Sequence, residues 1–68
     1  SILREAEACV AKTVPELKFR SYESLVLQAR TVQETAELLG SSTSSVSRYK
    51  QEVFELVKAK ARELAELD

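Results

Sequence analysis

Glycine and proline each occur once in the chain, at Gly40 and Pro15. With two backbone breakers in 68 residues, the sequence has little means of making the repeated sharp turns that strands require. No alternating apolar–polar stretch flanked by turn residues occurs either. The predicted fold is all-α: a small domain of four or five helices joined by tight turns. A chain this short buries only about 60% of its unfolded surface, so the core must be thin.

Residues 2–13 read as the first helix. Ile2, Leu3, Ala6, Cys9, Val10 and Thr13 recur at helical spacing, while Arg4, Glu5, Glu7 and Lys12 take the other face. Cys9 is expected to be a small buried residue. Thr13, Val14 and Pro15 break this helix, because Pro disfavours the α conformation in the residue before it. A second helix lies within 16–30, with Phe19, Tyr22, Val26 and Ala29 on one stripe and Leu25 beside it. It begins at Pro15, which suits a first helical turn, or at Ser21, a potential cap. Phe19 and Tyr22 are expected in the core.

The third helix has a sequence-encoded start and stop. TVQE at residues 31–34 is a capping-box pattern, in which the Thr31 hydroxyl and the Glu34 carboxylate each take a backbone N–H of the first turn. Val32, Ala36 and Leu39 form the expected inner stripe, and Gly40 suits the left-handed conformation that ends helices. The serine-rich segment 41–45 reads as a cap and a first turn: with Ser42 as N-cap, Val46, Tyr49 and Val53 follow at helical spacing. Tyr49 is expected to point inward. No breaker follows Ser42, so residues 42–67 form one helix, or two with a bend near Gln51 and Glu52. The stripe Val53, Val57, Ala61, Leu64 and Leu67 either closes the monomer core or forms a dimer seam. Phe54, Val57, Ala61 and Leu64 also give the three–four–three rhythm of a helix-pairing face.

Composition excludes several functions. There is no His and one Cys, so Ser–His and Cys–His nucleophile pairs are ruled out, as are a zinc site and an internal disulfide framework. No phosphate-cradling Gly loop is present. The chain is expected not to be an enzyme and to need no cofactor. No apolar stretch approaches a membrane span, and no membrane partner is expected. A chain without Met is expected to be a piece of a longer protein or a processed product.

Residues 31–51 carry the functional signal. Ala36 lies four before Gly40, Val46 six after it and Tyr49 three further on. This is helix-turn-helix spacing: the small Ala36 permits a close crossing, Gly40 the turn, and Val46 an anchor in the core. The segment ETAELLGSSTSSVSRY resembles the helix-turn-helix of bacterial and phage transcriptional regulators. Similar motifs occur in the sigma-factor domain that reads the upstream promoter element and in LuxR-type domains. It is most similar to the lambda phage CII activator family, sharing Thr35, Ala36, Glu37, Gly40, Ser44, Ser47, Arg48 and Lys50 in register, with apolar or aromatic residues at Val46 and Tyr49. The likeness spans roughly a third of the chain. It departs at Ser41, where the motif is usually apolar, and in a tighter connection ahead of Thr31 than sigma-type or LuxR-type domains have.

The resemblance implies a sequence-specific, double-stranded DNA-binding module of a transcription regulator, dimeric, acting in the cytoplasm of a bacterium (host- or phage-encoded), with RNA polymerase as a further partner. The helix from Ser42 would then be the recognition helix, with Ser42, Thr43, Ser44, Ser47, Arg48, Lys50 and Gln51 at DNA. Arg pairs with the O6 and N7 edge of guanine and Gln with adenine, so Arg48 and then Gln51 are the expected base readers. Ser42 and Thr43 at the helix start suit a phosphate, and Lys50, Lys18, Arg20 and Arg30 are candidate phosphate contacts. Charge points the same way locally: residues 40–50 and 18–30 are each +2, within a chain of net charge −1. The competing reading is a helical interaction or oligomerisation module without DNA affinity, with residues 52–68 as a dimerisation segment.

Overall fold

The computed structural model describes residues 1–67 and is all-α, with no strand among the described residues. Four α-helices, α1 (Ile2–Ala11), α2 (Glu16–Tyr22), α3 (Val32–Leu39) and α4 (Thr43–Glu66), are supplemented by a π-helical turn, Glu23–Leu27, that prolongs α2. The long α4 is the spine, and α1, α2 and α3 all pack against it.

Helix α1 is capped by Ser1, whose hydroxyl accepts the Arg4 N–H. It ends at Ala11, two residues short of the predicted limit, and the Thr13 hydroxyl donates to the Val10 carbonyl beyond the end. Its buried face is Ala6, Glu7 and Val10. This corrects three sequence expectations. Ile2 and Leu3 are exposed, and so is Cys9. Glu7, assigned to the outer face, is buried at 5% exposure. The cause is a specific partner: the Tyr22 hydroxyl donates to Glu7 Oε2 at 2.8 Å, and Arg4 Nη1 donates to Oε1 at 3.0 Å. A buried carboxylate is tolerated only when its oxygens are satisfied in this way.

Pro15 precedes the first residue of α2, which settles where that helix begins. Ser21 is not a cap; it is fully buried and its hydroxyl donates to the Leu17 carbonyl at 2.9 Å. The π turn widens the helix end, with the Gln28 N–H bonding five residues back to the Glu23 carbonyl at 2.9 Å. Ala29 then takes φ +54°, which lets the Arg30 N–H reach the Ser24 carbonyl at 3.0 Å. Within this segment Val26 and Ala29 are exposed, and Leu25 is half-buried. The inward position falls instead to Ser24, whose hydroxyl shares a 2.7 Å hydrogen bond with that of Thr35 on α3.

The core consists of Ala6, Val10, Tyr22, Val53 and Val57, with Val14, Phe19, Ala61 and Leu64 packed around it. Each fully buried valine contributes about 1.5–3 kcal/mol. The Lys58–Glu55 and Lys60–Glu63 ion pairs on the outer face of α4 contribute no more than about 0.5 kcal/mol each. The apolar stripe therefore holds α4 in place. Val53, Val57, Ala61 and Leu64 are used against α1 and α2 within the monomer, so this part of the stripe closes the core. Leu67 and Phe54 lie outside it, at 80% and 38% exposure.

Candidate nucleic-acid interface

The turn between α3 and α4 is built locally. Thr31 caps α3 with both halves of the capping box formed: its hydroxyl accepts the Glu34 N–H at 3.0 Å, and its own N–H donates to Glu34 Oε1 at 2.9 Å. The Thr31 N–H, followed by its side chain, holds the Glu34 carboxyl below its ordinary pKa. At the other end Gly40 adopts φ +65°, ψ +33°. The Ser41 N–H then reaches the Ala36 carbonyl at 3.0 Å and the Gly40 N–H that of Glu37 at 3.4 Å, the paired bonds of a Schellman ending. Inside the turn, Val46 and Thr35 are fully buried and Ala36 nearly so. The expected inner stripe of α3 is corrected here: Val32 is exposed and Leu39 half-buried, and Thr35 takes the deepest position through its bond to Ser24.

Ser42 caps α4. Its hydroxyl accepts the Ser45 N–H at 3.1 Å and also bonds to the Ser45 and Ser44 hydroxyls. The side chain of Ser42 is thus occupied by capping. The first turn of α4 carries no acidic residue, so no carboxylate there offsets the partial positive charge of its remaining free N–H groups. From there the helix is continuous for 24 residues, with no bend into two at Gln51 and Glu52.

At 3.6 residues per turn, Ser44, Arg48 and Gln51 project from the side of α4 opposite the buried Val46, Val53 and Val57. All three are exposed, as is Thr43, and Ser47 beside them is half-buried. Lys50 departs from this stripe. It lies four residues after Val46, on the edge of the buried side, and is half-buried.

The proposed phosphate contacts separate in the structure. Lys18 on α2 sits beside α4, with its Nζ 2.7 Å from Glu52 Oε2 and 5.5 Å from the Tyr49 ring centroid. Arg20, two positions on, points elsewhere around α2 and is exposed. Arg30 donates to the Gln28 side chain and shares a shallow surface groove with Glu34, Glu37 and Leu38 of α3, which no residue of α4 lines.

Two features escaped the sequence reading. Tyr49, expected inside, is half-buried, and its ring carries Arg48 at 5.3 Å on α4 as well as Lys18 from α2. Glu52 lies one helical turn beyond Arg48, with Oε1 4.0 Å from Arg48 Nε. Gln51 likewise donates to Glu55 Oε2 at 3.1 Å. The acid-free run 40–50 is therefore bordered by carboxylates on the same face. The i,i+4 spacing of Arg48 and Glu52 is a signal available in the sequence; the arrival of Lys18 from 34 positions away is not.

Among the described residues no cluster of His, Cys, Asp or Glu has the makings of a metal site, and no helix is long and apolar enough to cross a membrane. Comparison with family models, curated proteins and solved structures found no match.

Proposed function

We propose that the chain is a DNA-binding helix-turn-helix module of a transcription regulator, with α4 as the recognition helix in the major groove. One observation carries the reading. Directly after the Gly40 turn, a serine-capped helix free of early acids presents Ser44, Ser47, Arg48 and Gln51 on the side away from its valine anchors. Arg48 is the principal base reader, suited to the guanine edge, and Gln51 the second. The Thr43 and Ser44 amides at the helix start suit a backbone phosphate, and Lys18 suits a second. Lys50, Arg20 and Arg30 are peripheral to this surface. With a net charge of −1, binding by one copy is weak and salt-sensitive; a dimer multiplies the contacts. The resemblance adds RNA polymerase as a partner and a bacterial cytoplasmic setting.

A second reading, a helical interaction module without DNA affinity, is favoured by one observation: Leu56 on α4 and Leu67 just past its end remain exposed, at 47% and 80%.

DNA titration at low and moderate salt, with the intact chain and Arg48→Ala, separates the two, with mass followed by sedimentation. The DNA reading requires salt-dependent binding that weakens about tenfold or more in the variant; a mass twice that of the monomer marks the dimer. Self-association with no DNA affinity at low salt would establish the second reading.

A further inference from the structure

Glu52 holds two cations at once. Its Oε2 lies 2.7 Å from Lys18 Nζ and its Oε1 4.0 Å from Arg48 Nε. Both cations also lie over the Tyr49 ring, at 5.5 and 5.3 Å. The four side chains form one partly exposed cluster, with Lys18 from α2, Arg48 from the outward stripe of α4, and Glu52 and Tyr49 between that stripe and the buried side. A carboxylate spreads one negative charge over two oxygens, as a backbone phosphodiester does over its two non-bridging oxygens. Glu52 thus occupies the place, and offers the charge, that a DNA phosphate would have between Lys18 and Arg48.

We propose that Glu52 is a built-in competitor of backbone phosphate, which lowers the affinity of the recognition face for DNA in general. This rests on the DNA-binding reading above. Phosphate must displace the carboxylate from Lys18 before that lysine contributes, and the displaced carboxylate then repels the phosphate and draws in a cation. Arg48 keeps its outer edge free, because the contact to Glu52 is made through Nε and the side chain is 63% exposed. Base reading by Arg48 is therefore less affected than backbone holding by Lys18. The effect is to weaken sequence-independent binding selectively, which raises the ratio of specific to non-specific affinity.

The test uses a random-sequence duplex titrated over a range of salt, with the intact chain, Glu52→Gln, Lys18→Gln, the double variant and Arg48→Ala. Thermal melts establish that each variant is folded. Glu52→Gln is expected to bind about five- to tenfold more tightly at low salt, and to steepen the log–log salt dependence by up to about one. Lys18→Gln is expected to bind more weakly, and the gain from Glu52→Gln to vanish in the double variant. An ion pair that merely braces α2 against α4 would make both single substitutions weaken binding, and that result overturns the proposal. Unchanged binding by Glu52→Gln, with Lys18→Gln or Arg48→Ala weakening it, overturns the proposal and leaves the DNA reading standing. No binding by any variant at low salt overturns both.

Discussion

The Tyr22 hydroxyl donates to Glu7 Oε2 at 2.8 Å in the interior of the domain, joining α2 to α1 across 15 positions of sequence. Tyr22→Phe keeps the ring and removes the donor, leaving a buried carboxylate with Arg4 as its remaining partner. The expected loss is about 1–3 kcal/mol. In a domain of this size each kcal/mol lowers the Tm by roughly 4–8 °C, which a thermal melt by circular dichroism reads directly. A Tm within a degree or so of the parent would show that the bond contributes nothing net.

The same pair sets an alkaline limit. Burial, aided by the Glu7 hydrogen bond and charge, pushes the Tyr22 phenol up to about 12. An unfolded tyrosine releases its proton near pH 10, so between these values the unfolded chain is deprotonated and the folded chain is not. Stability from this group is complete below pH 10 and declines as pH rises toward 12, by roughly 2–3 kcal/mol in all. Urea midpoints measured across this range should fall in the parent and fall less in Tyr22→Phe; parallel slopes would refute the assignment.

Two residues share a left-handed backbone with opposite consequences. Ala29 has φ +54° and Gly40 φ +65°. The left-handed region costs an L-residue about 1–2 kcal/mol, part of which a glycine returns as unfolded-state entropy. Ala29→Gly is therefore expected to stabilise by about 0.5–1 kcal/mol. Gly40→Ala meets open space around the added methyl, so strain alone acts and the expected loss is about 1 kcal/mol. Denaturant midpoints shifting in the same direction for both would contradict this account.

The capping box gives an acid-side prediction. Thr31→Ala removes the hydroxyl that accepts the Glu34 N–H and is expected to cost about 1 kcal/mol. The Glu34 carboxyl is held below its ordinary value of 4.5. Its contribution is present above that pH and is lost as pH falls through the lower folded-state value. Glu34→Gln should flatten the parent's acid limb of stability; an identical acid limb in both chains would rule out the contribution.

Features legible in the sequence are those whose physics closes within a few residues. The Thr31 box, the Gly40 turn and the Ser42 cap each depend on atoms three to five positions apart, and the structure forms all three. Periodicity also located Ala6, Val10, Tyr22, Val46, Val53 and Val57. It misplaced Glu7, because a buried polar residue goes where a distant partner receives it, and it misplaced Ile2, Leu3, Val26 and Val32, which the thin core leaves outside. Glu7 is inside because of Tyr22, and Thr35 because of Ser24. Ile2, Leu3 and Cys9 are outside because the narrow face of α1 needs only Ala6 and Val10 against α4. At the candidate site the outward placement of Thr43, Ser44, Arg48 and Gln51 was implied by the resemblance and agrees with helical spacing, while Ser47 and Lys50 are half-buried. The carboxylate beside Arg48 and the lysine from α2 required the packing of α2 on α4 to be known.

The unbroken course of α4 has a mechanical meaning. A helix of 24 residues is a rod about 36 Å long, with Ser44 and Arg48 near one end and the contacts of Ala61 and Leu64 near the other. A tilt of about 10° about its middle displaces either end by about 3 Å, roughly the rise of two residues. Val46, Val53 and Val57 are buried along this rod and resist such a tilt, so the Arg48 guanidinium rides on a support fixed by the same packing that closes the core.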